Sequence, residues 1–269
     1  MISSNTRADI KGYLEGFIQG FIDQYKASNL NPKEPRPPRT YSQSGDIKPF
    51  HEALLPDGIL RVNEFERSLS TKLGMSFEEC ARLIGKENYA EASRGHRIQG
   101  KISAEVIREI EQIVNEVGAG RNVDYPSLVQ RILQIGREGS IDRERIADLY
   151  LKDNNGNEIF FEIKSPKPNK GQCLEVLDRL LEIHAMKEEG PPKVRTFYAM
   201  AYNPYGDSKS DYRHSFALSY MDIKNQVLIG SEFWDLVGGK DTYDEVIEIY
   251  REVGREKGPD MIDQLALRY

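Results

Sequence analysis

Three side chains within IADLYLKDNNGNEIFFEIK, residues 146–164, have types and spacing that can do chemistry: Asp148, Glu162 and Lys164. Two carboxylates sharing one spot repel each other unless a cation lies between them or one takes up a proton. Hard oxygen donors with no His or Cys partner favour Mg2+, which keeps several waters and binds through one or two carboxylates plus substrate phosphate. Such an ion neutralises a phosphodiester and helps generate hydroxide at neutral pH. An ammonium beside it orients the attacking water and stabilises the charge growing on the phosphate. The set suits metal-assisted phosphodiester hydrolysis.

Neighbouring elements must gather these groups. IADLYLK and EIFFEIK read as the arms of a β-hairpin joined by DNNGN, whose Asn and Gly residues tolerate positive φ. Setting Asp148 opposite Glu162 puts Tyr150 opposite Phe160 and Lys152 opposite Glu158, the last an expected cross-strand salt bridge. Alternation then leaves Leu149, Leu151, Phe161 and Ile163 on the core face. Asp148, Glu162 and Lys164 share the other, which Ala147, Tyr150 and Phe160 make partly apolar, as in a recessed pocket. The bland alternative is a solvated polar face. Against it stands SPKPNKGQ, residues 165–172, where Lys167 and Lys170 follow the strand with no acid among them. That surface suits an anion.

The period is helical before the hairpin and returns to helix after it. Ile10, Leu14, Phe17, Phe21 and Tyr25 recur at steps of three and four, the stripe of an amphipathic helix within residues 1–30. The proline-rich run 31–49 reads as an irregular connector, and residues 50–269 as the main domain. Within it, SFEECARLIGKENYAEA predicts a helix capped by Ser76 with Glu79 completing a capping box. SAEVIREIEQIVNEV and YPSLVQRILQIGREG predict two more. LEVLDRLLEIHAMK is a helix and VRTFYAMAY a buried strand, then NQVLIG a strand and SEFWDLVGG and TYDEVIEIYREVGREKG helices. Strand, strand, helix, strand implies a mixed sheet flanked by helices, the α/β or α+β class, after a mostly helical first half.

A chain of 269 residues buries a real core without metal or disulfide staples. Its two cysteines, Cys80 and Cys173, stand far apart, and no stretch resembles a signal peptide or membrane span, so a soluble, cytoplasmic protein is expected. A net charge of -6 excludes a surface basic all over but not a local basic groove. The four histidines form no metal pair or nucleophile arrangement; His184 reads as helix surface and Trp234 as core.

Asp148 with Glu162-x-Lys164 resembles the PD-(D/E)xK nuclease superfamily, with Ala147 where proline often stands. FERSLSTKLGMSFEECARLIG, the hairpin, AYNPYG and LIGSEFWDLVGG together resemble the TdeIII group of type II restriction endonucleases, across roughly residues 50–255. The resemblance implies a restriction-endonuclease-like core in which Asp148 and Glu162 hold Mg2+ and Lys164 is catalytic. Glu78, on the first core helix, falls at the position of a supporting glutamate, with Glu79 beside it. Gln172 falls where related nucleases have a glutamine near the substrate phosphate. It further implies double-stranded DNA cut at a short palindrome of the GGNCC kind, hence a homodimer, with a cognate DNA methyltransferase as functional partner. Arg67, Lys72, Arg94, His96 and Arg97 are candidates for phosphate or base contact, as are Asn203 and Tyr205 in YNPYGD; ordinary solvated charges or turn residues are the alternative for each. Three other readings stay open: a nuclease-fold protein that binds DNA without cutting, a repair or junction-resolving nuclease, and an assembly protein.

Overall fold

Five strands form one mixed sheet in the computed structural model, which describes residues 2–27, 48–135, 140–187 and 193–265. They are β1 (Glu91–Ser103), β2 (Ser140–Lys152), β3 (Glu158–Ile163), β4 (Val194–Met200) and β5 (Val227–Ile229), side by side in that order. β2 pairs antiparallel with both β1 and β3, whereas β4 pairs parallel with both β3 and β5. Among the described residues the helices are α1 (Ser4–Ala27), α2 (Pro49–Leu54), α3 (Asp57–Asn88), α4 (Ala104–Gly118), α5 (Tyr125–Leu133), α6 (Lys170–Lys187), α7 (Ser215–Tyr220), α8 (Ser231–Gly238) and α9 (Thr242–Leu265). None is long and apolar enough to cross a membrane.

The hairpin has the register its alternation dictates, with Tyr150 opposite Phe160 and Lys152 opposite Glu158. Gly156 takes φ +83°, and the Asp153 carboxylate accepts the N–H groups of Asn155 and Asn157 to close the loop. The expected Lys152–Glu158 bridge is replaced. Lys152 Nζ lies 2.9 Å from Glu91 on β1, while Glu158 receives Lys187 at 3.0 Å and the Tyr150 hydroxyl at 2.9 Å. The reason is that β2 is an interior strand with a neighbour on each side. That neighbour was not legible: EASRGHRIQGKIS intersperses charges and glycines, so the apolar alternation of a strand is missing from β1.

Helices cover both faces. α6 connects β3 to the parallel β4 and packs Val176, Leu177, Leu180 and Leu181 against Tyr150 and Phe160, with α4 and α5 adding Ile110, Ile113, Leu128 and Ile132. The Tyr150–Phe160 face is therefore a second core, not an open pocket. On the opposite face Phe161 meets Phe233 of α8 edge-on, 5.7 Å between ring centres. Trp234 is buried with its indole N–H donating to Ala201 O, whereas His184 is buried instead of lying on the helix surface, its Nε2 3.1 Å from Thr196 Oγ1. Ser103 caps α4 by accepting the Val106 N–H. Ser76 is no N-cap: it lies inside α3 and returns its hydroxyl to Leu73 O, because the helix begins far earlier, at Asp57.

Contacts divide the chain into two units. The sheet-bearing unit comprises Met1–Thr6 and Phe77–Glu245, and the other, helical among its described residues, comprises Arg7–Ser76 and Val246–Tyr269. In the helical unit the predicted stripe is realised: Ile10, Leu14 and Phe21 of α1 are buried, and Phe21 meets Phe65 edge-on at 4.9 Å. Arg7 pairs with Glu252 and Lys11 with Glu256. Of the proline-rich connector, residues 31–47 lie outside the described residues.

Candidate active site

The β2–β3 ladder stops at Leu149 opposite Phe161. Beyond that pair the next residues of the two strands are Asp148 and Glu162. Here the Asp148 side chain takes over from the backbone, its Oδ2 accepting the Ile163 N–H at 2.8 Å. On the other side of β2, Asp148 faces Gly95, which lies between the pairs Arg94–Leu149 and His96–Ala147 and takes φ +54°. Glycine enters this left-handed region without steric cost. Two strands thus depart from regular geometry at Asp148. Lys164 continues from β3, its N–H donating to Ala199 O on β4.

The three side chains meet. Lys164 Nζ is 2.8 Å from Asp148 Oδ2 and 3.2 Å from Glu162 Oε2. Exposure rises across the set, from 0% for the Glu162 side chain through 20% for Asp148 to 36% for Lys164, so the cluster opens toward solvent on the lysine side. Burial pushes the Glu162 carboxyl pKa up and the Asp148 charge adds to this, while Lys164 and a fourth residue, Arg179, pull it back. Burial works to lower the Lys164 ammonium, but its hydrogen bond to Asp148 and the two carboxylate charges win and raise it.

Arg179 joins the cluster from outside the hairpin. From α6 its Nη1 donates to Glu162 Oε2 at 2.9 Å and its Nη2 to Glu175 Oε1 at 2.7 Å. In sequence Glu175 and Arg179 read as an ordinary surface pair at i, i+4. The available signal was position: Arg179 sits in a helix whose residues from Leu180 to Met186 are all buried.

The donor set fits a hard divalent cation. Glu162 Oε1 is buried with no hydrogen-bond partner, and both hydrogen bonds to Asp148 fall on Oδ2. Among the described residues no group of three or more His, Cys, Asp or Glu side chains forms a full protein cage. Two carboxylates with the rest of the shell left to water and phosphate is the pattern for Mg2+.

The remaining candidates are spread. Glu78 Oε2 takes the Arg94 guanidinium at 2.8 and 3.1 Å, with Arg94 also 3.3 Å from Glu79, and no hydrogen bond or ion pair joins Glu78 to the triplet. Arg97 is exposed and bonds Glu144. Lys167 is exposed, its ammonium 5.5 Å from the Tyr205 ring centre. Lys170 donates to Gly118 O. Gln172 exchanges hydrogen bonds with Asn169, capping the start of α6. Asn203 shapes a turn through the Tyr205 N–H and Ser208 O. The sheet-bearing unit also ties down the loop after Lys164: Tyr198, Tyr212 and His214 bond Ser165 O, Pro166 O and Pro168 O. Arg67 and Lys72 belong to the helical unit, Arg67 exposed and Lys72 4.9 Å from the Phe21 ring centre.

A mixed sheet that holds Asp, Glu and Lys together where β2 and β3 part, with helices on both faces, defines a nuclease of the restriction-endonuclease-like class. The family described as "HinfI: Type II restriction endonuclease, HinfI" matches residues 6–254. The type II restriction enzyme HgiBI of Herpetosiphon aurantiacus is 44% identical over 270 residues, 98% of each chain. HgiEI of the same organism is 44% identical over 272 residues with the same coverage. MjaII of Methanocaldococcus jannaschii is 23% identical over 229 residues, 76% of this chain and 58% of that one. The chain belongs to the HinfI family and is a type II restriction endonuclease, a site-specific deoxyribonuclease. Enzymes of this class act on double-stranded DNA and generally use divalent metal ions.

Proposed function

We propose that this endonuclease hydrolyses DNA phosphodiesters with Mg2+ held by Asp148 and Glu162, and that Lys164 is its catalytic ammonium. The observation that carries this is the single position of Lys164 Nζ, in reach of Asp148 Oδ2 and Glu162 Oε2 together. Bound there, the ion supplies charge neutralisation and an acidified water. Asp148 holds its carboxylate in place through the Ile163 N–H, so its free oxygen points without reorganisation. Lys164, the most exposed of the three, is placed to meet a phosphate arriving from solvent and to orient the attacking water. It also stabilises charge on the phosphate oxygens in the transition state. Arg97 and Lys167, both exposed, are the members of the basic set we assign to DNA contact.

By resemblance, the target is a short palindrome of the GGNCC kind. A two-fold symmetric target is matched by a homodimer, and a cytoplasmic enzyme of this sort requires a DNA methyltransferase that protects the host's own sites. The test incubates plasmid with protein and Mg2+, then repeats it with EDTA and with Lys164→Ala. Discrete fragments from the wild type with Mg2+, and none in the other two reactions, are expected. Cleavage that persists with EDTA, or undiminished cleavage by Lys164→Ala, overturns the assignment; cutting confined to branched DNA overturns the palindrome.

A further inference from the structure

The buried carboxylate of Glu162 has two cationic partners with different second commitments. Lys164 reaches Oε2 but also binds Asp148 and is partly exposed. Arg179 reaches the same Oε2 at 2.9 Å, and its other nitrogen is anchored on Glu175, one turn back along α6. Neither cation touches Oε1, the buried oxygen with no partner. The geometry points to Arg179 as the positioning residue for Glu162: a clamp on Oε2 that aims Oε1 at the metal and remains when Lys164 turns to the substrate. This rests on the reading of Asp148, Glu162 and Lys164 given above.

The planar fork of arginine explains the residue type. Its separate N–H groups bind two carboxylates at once, so the anchor on the helix fixes the angle at which Glu162 is held. A bystander cation would act in the opposite direction. If Arg179 only added positive charge, it would repel a divalent ion, and its removal would tighten metal binding.

Binding of Mn2+ to the DNA-free protein, read by paramagnetic resonance, separates the two, together with the Mg2+ concentration that half-saturates plasmid cleavage. Arg179→Ala is expected to weaken Mn2+ binding and raise the Mg2+ requirement by about tenfold or more, as losing a group that orients a metal ligand does. The cleavage rate at saturating Mg2+ should change far less. Arg179→Lys, which keeps a charged donor on Oε2, restores most of the affinity. Should Arg179→Ala fail to fold by circular dichroism, Arg179→Met is read in its place. Equal or tighter Mn2+ binding without the guanidinium overturns the inference. Asp148→Asn runs in parallel: if it alone loses Mn2+, only the role of Arg179 falls, whereas if it binds Mn2+ like the wild type, the site assignment falls with it.

Discussion

Asp148 accepts the main-chain N–H of Ile163 at 2.8 Å, and that bond joins two strands at the point where their backbone ladder has ended. One carboxylate therefore has a structural oxygen and, in the proposed mechanism, a metal-binding one. The two duties separate by substitution. Asp148→Asn keeps an acceptor for the Ile163 N–H but loses the charge, so it should fold normally and cut DNA at least a hundredfold more slowly. Asp148→Ala loses both, and should cost a further ~1–3 kcal/mol of stability because the N–H is left unpaired. Urea unfolding of the two variants beside plasmid cleavage measures this; equal stabilities would show that the bond does not hold the strands.

Gly95 predicts a second effect on the same residue. Its φ of +54° is one that a Cβ disfavours, although no atom lies within 4 Å of where that Cβ would be. The cost of Gly95→Ala is thus conformational, about 1 kcal/mol, not a clash. Relaxation of β1 opposite Asp148 shifts the carboxylate, and cleavage should fall about tenfold, since sub-ångström misplacement of a reacting group is expensive. Thermal melting and cleavage rates test both parts.

His96 stacks on Tyr150, ring centres 3.9 Å apart and planes inclined by 13°. Burial holds its pKa below the ordinary 6.5 and the Lys187 charge adds to this, outweighing Glu158 and Glu91. The unfolded chain therefore binds the proton more readily than the native one. The resulting stability is complete above pH 6.5 and is lost as pH falls through the depressed native value. His96→Phe keeps a stacking ring without the titration, so its melting temperature should decline less steeply than the wild type's between pH 7 and 5. Parallel slopes would contradict this.

Both cysteines are buried, and burial pushes the Cys173 thiol up to about 11. The reactive thiolate is then scarce and shielded. A disulfide reagent at pH 8 should label neither cysteine in the native enzyme and both after denaturation in guanidinium; rapid native labelling of Cys173 would contradict the packing of α6 against the sheet.

How much of this was legible follows from the range of each interaction. The hairpin was readable because alternation and a five-residue turn act within two adjacent segments, and they fixed which residues of β2 and β3 face each other. α4 and α6 were readable by their periodicity. β1 was not, because EASRGHRIQGKIS carries no apolar alternation. It is a strand only because β2 offers a ladder edge along its whole length. For the same reason Lys152 pairs with Glu91 instead of Glu158. The capping-box pattern at Ser76 is local, and α3 runs straight through it.

The sequence by itself determined that Asp148, Glu162 and Lys164 lie near one another, since strand pairing and a two-residue period are local rules. Only the tertiary structure decided that Glu162 is wholly buried, that Arg179 of α6 holds one of its oxygens, and that Glu78 is committed to Arg94. Those outcomes depend on how a helix lies across a sheet and which charges lose their water there. Neither quantity is written in the spacing of residues along the chain.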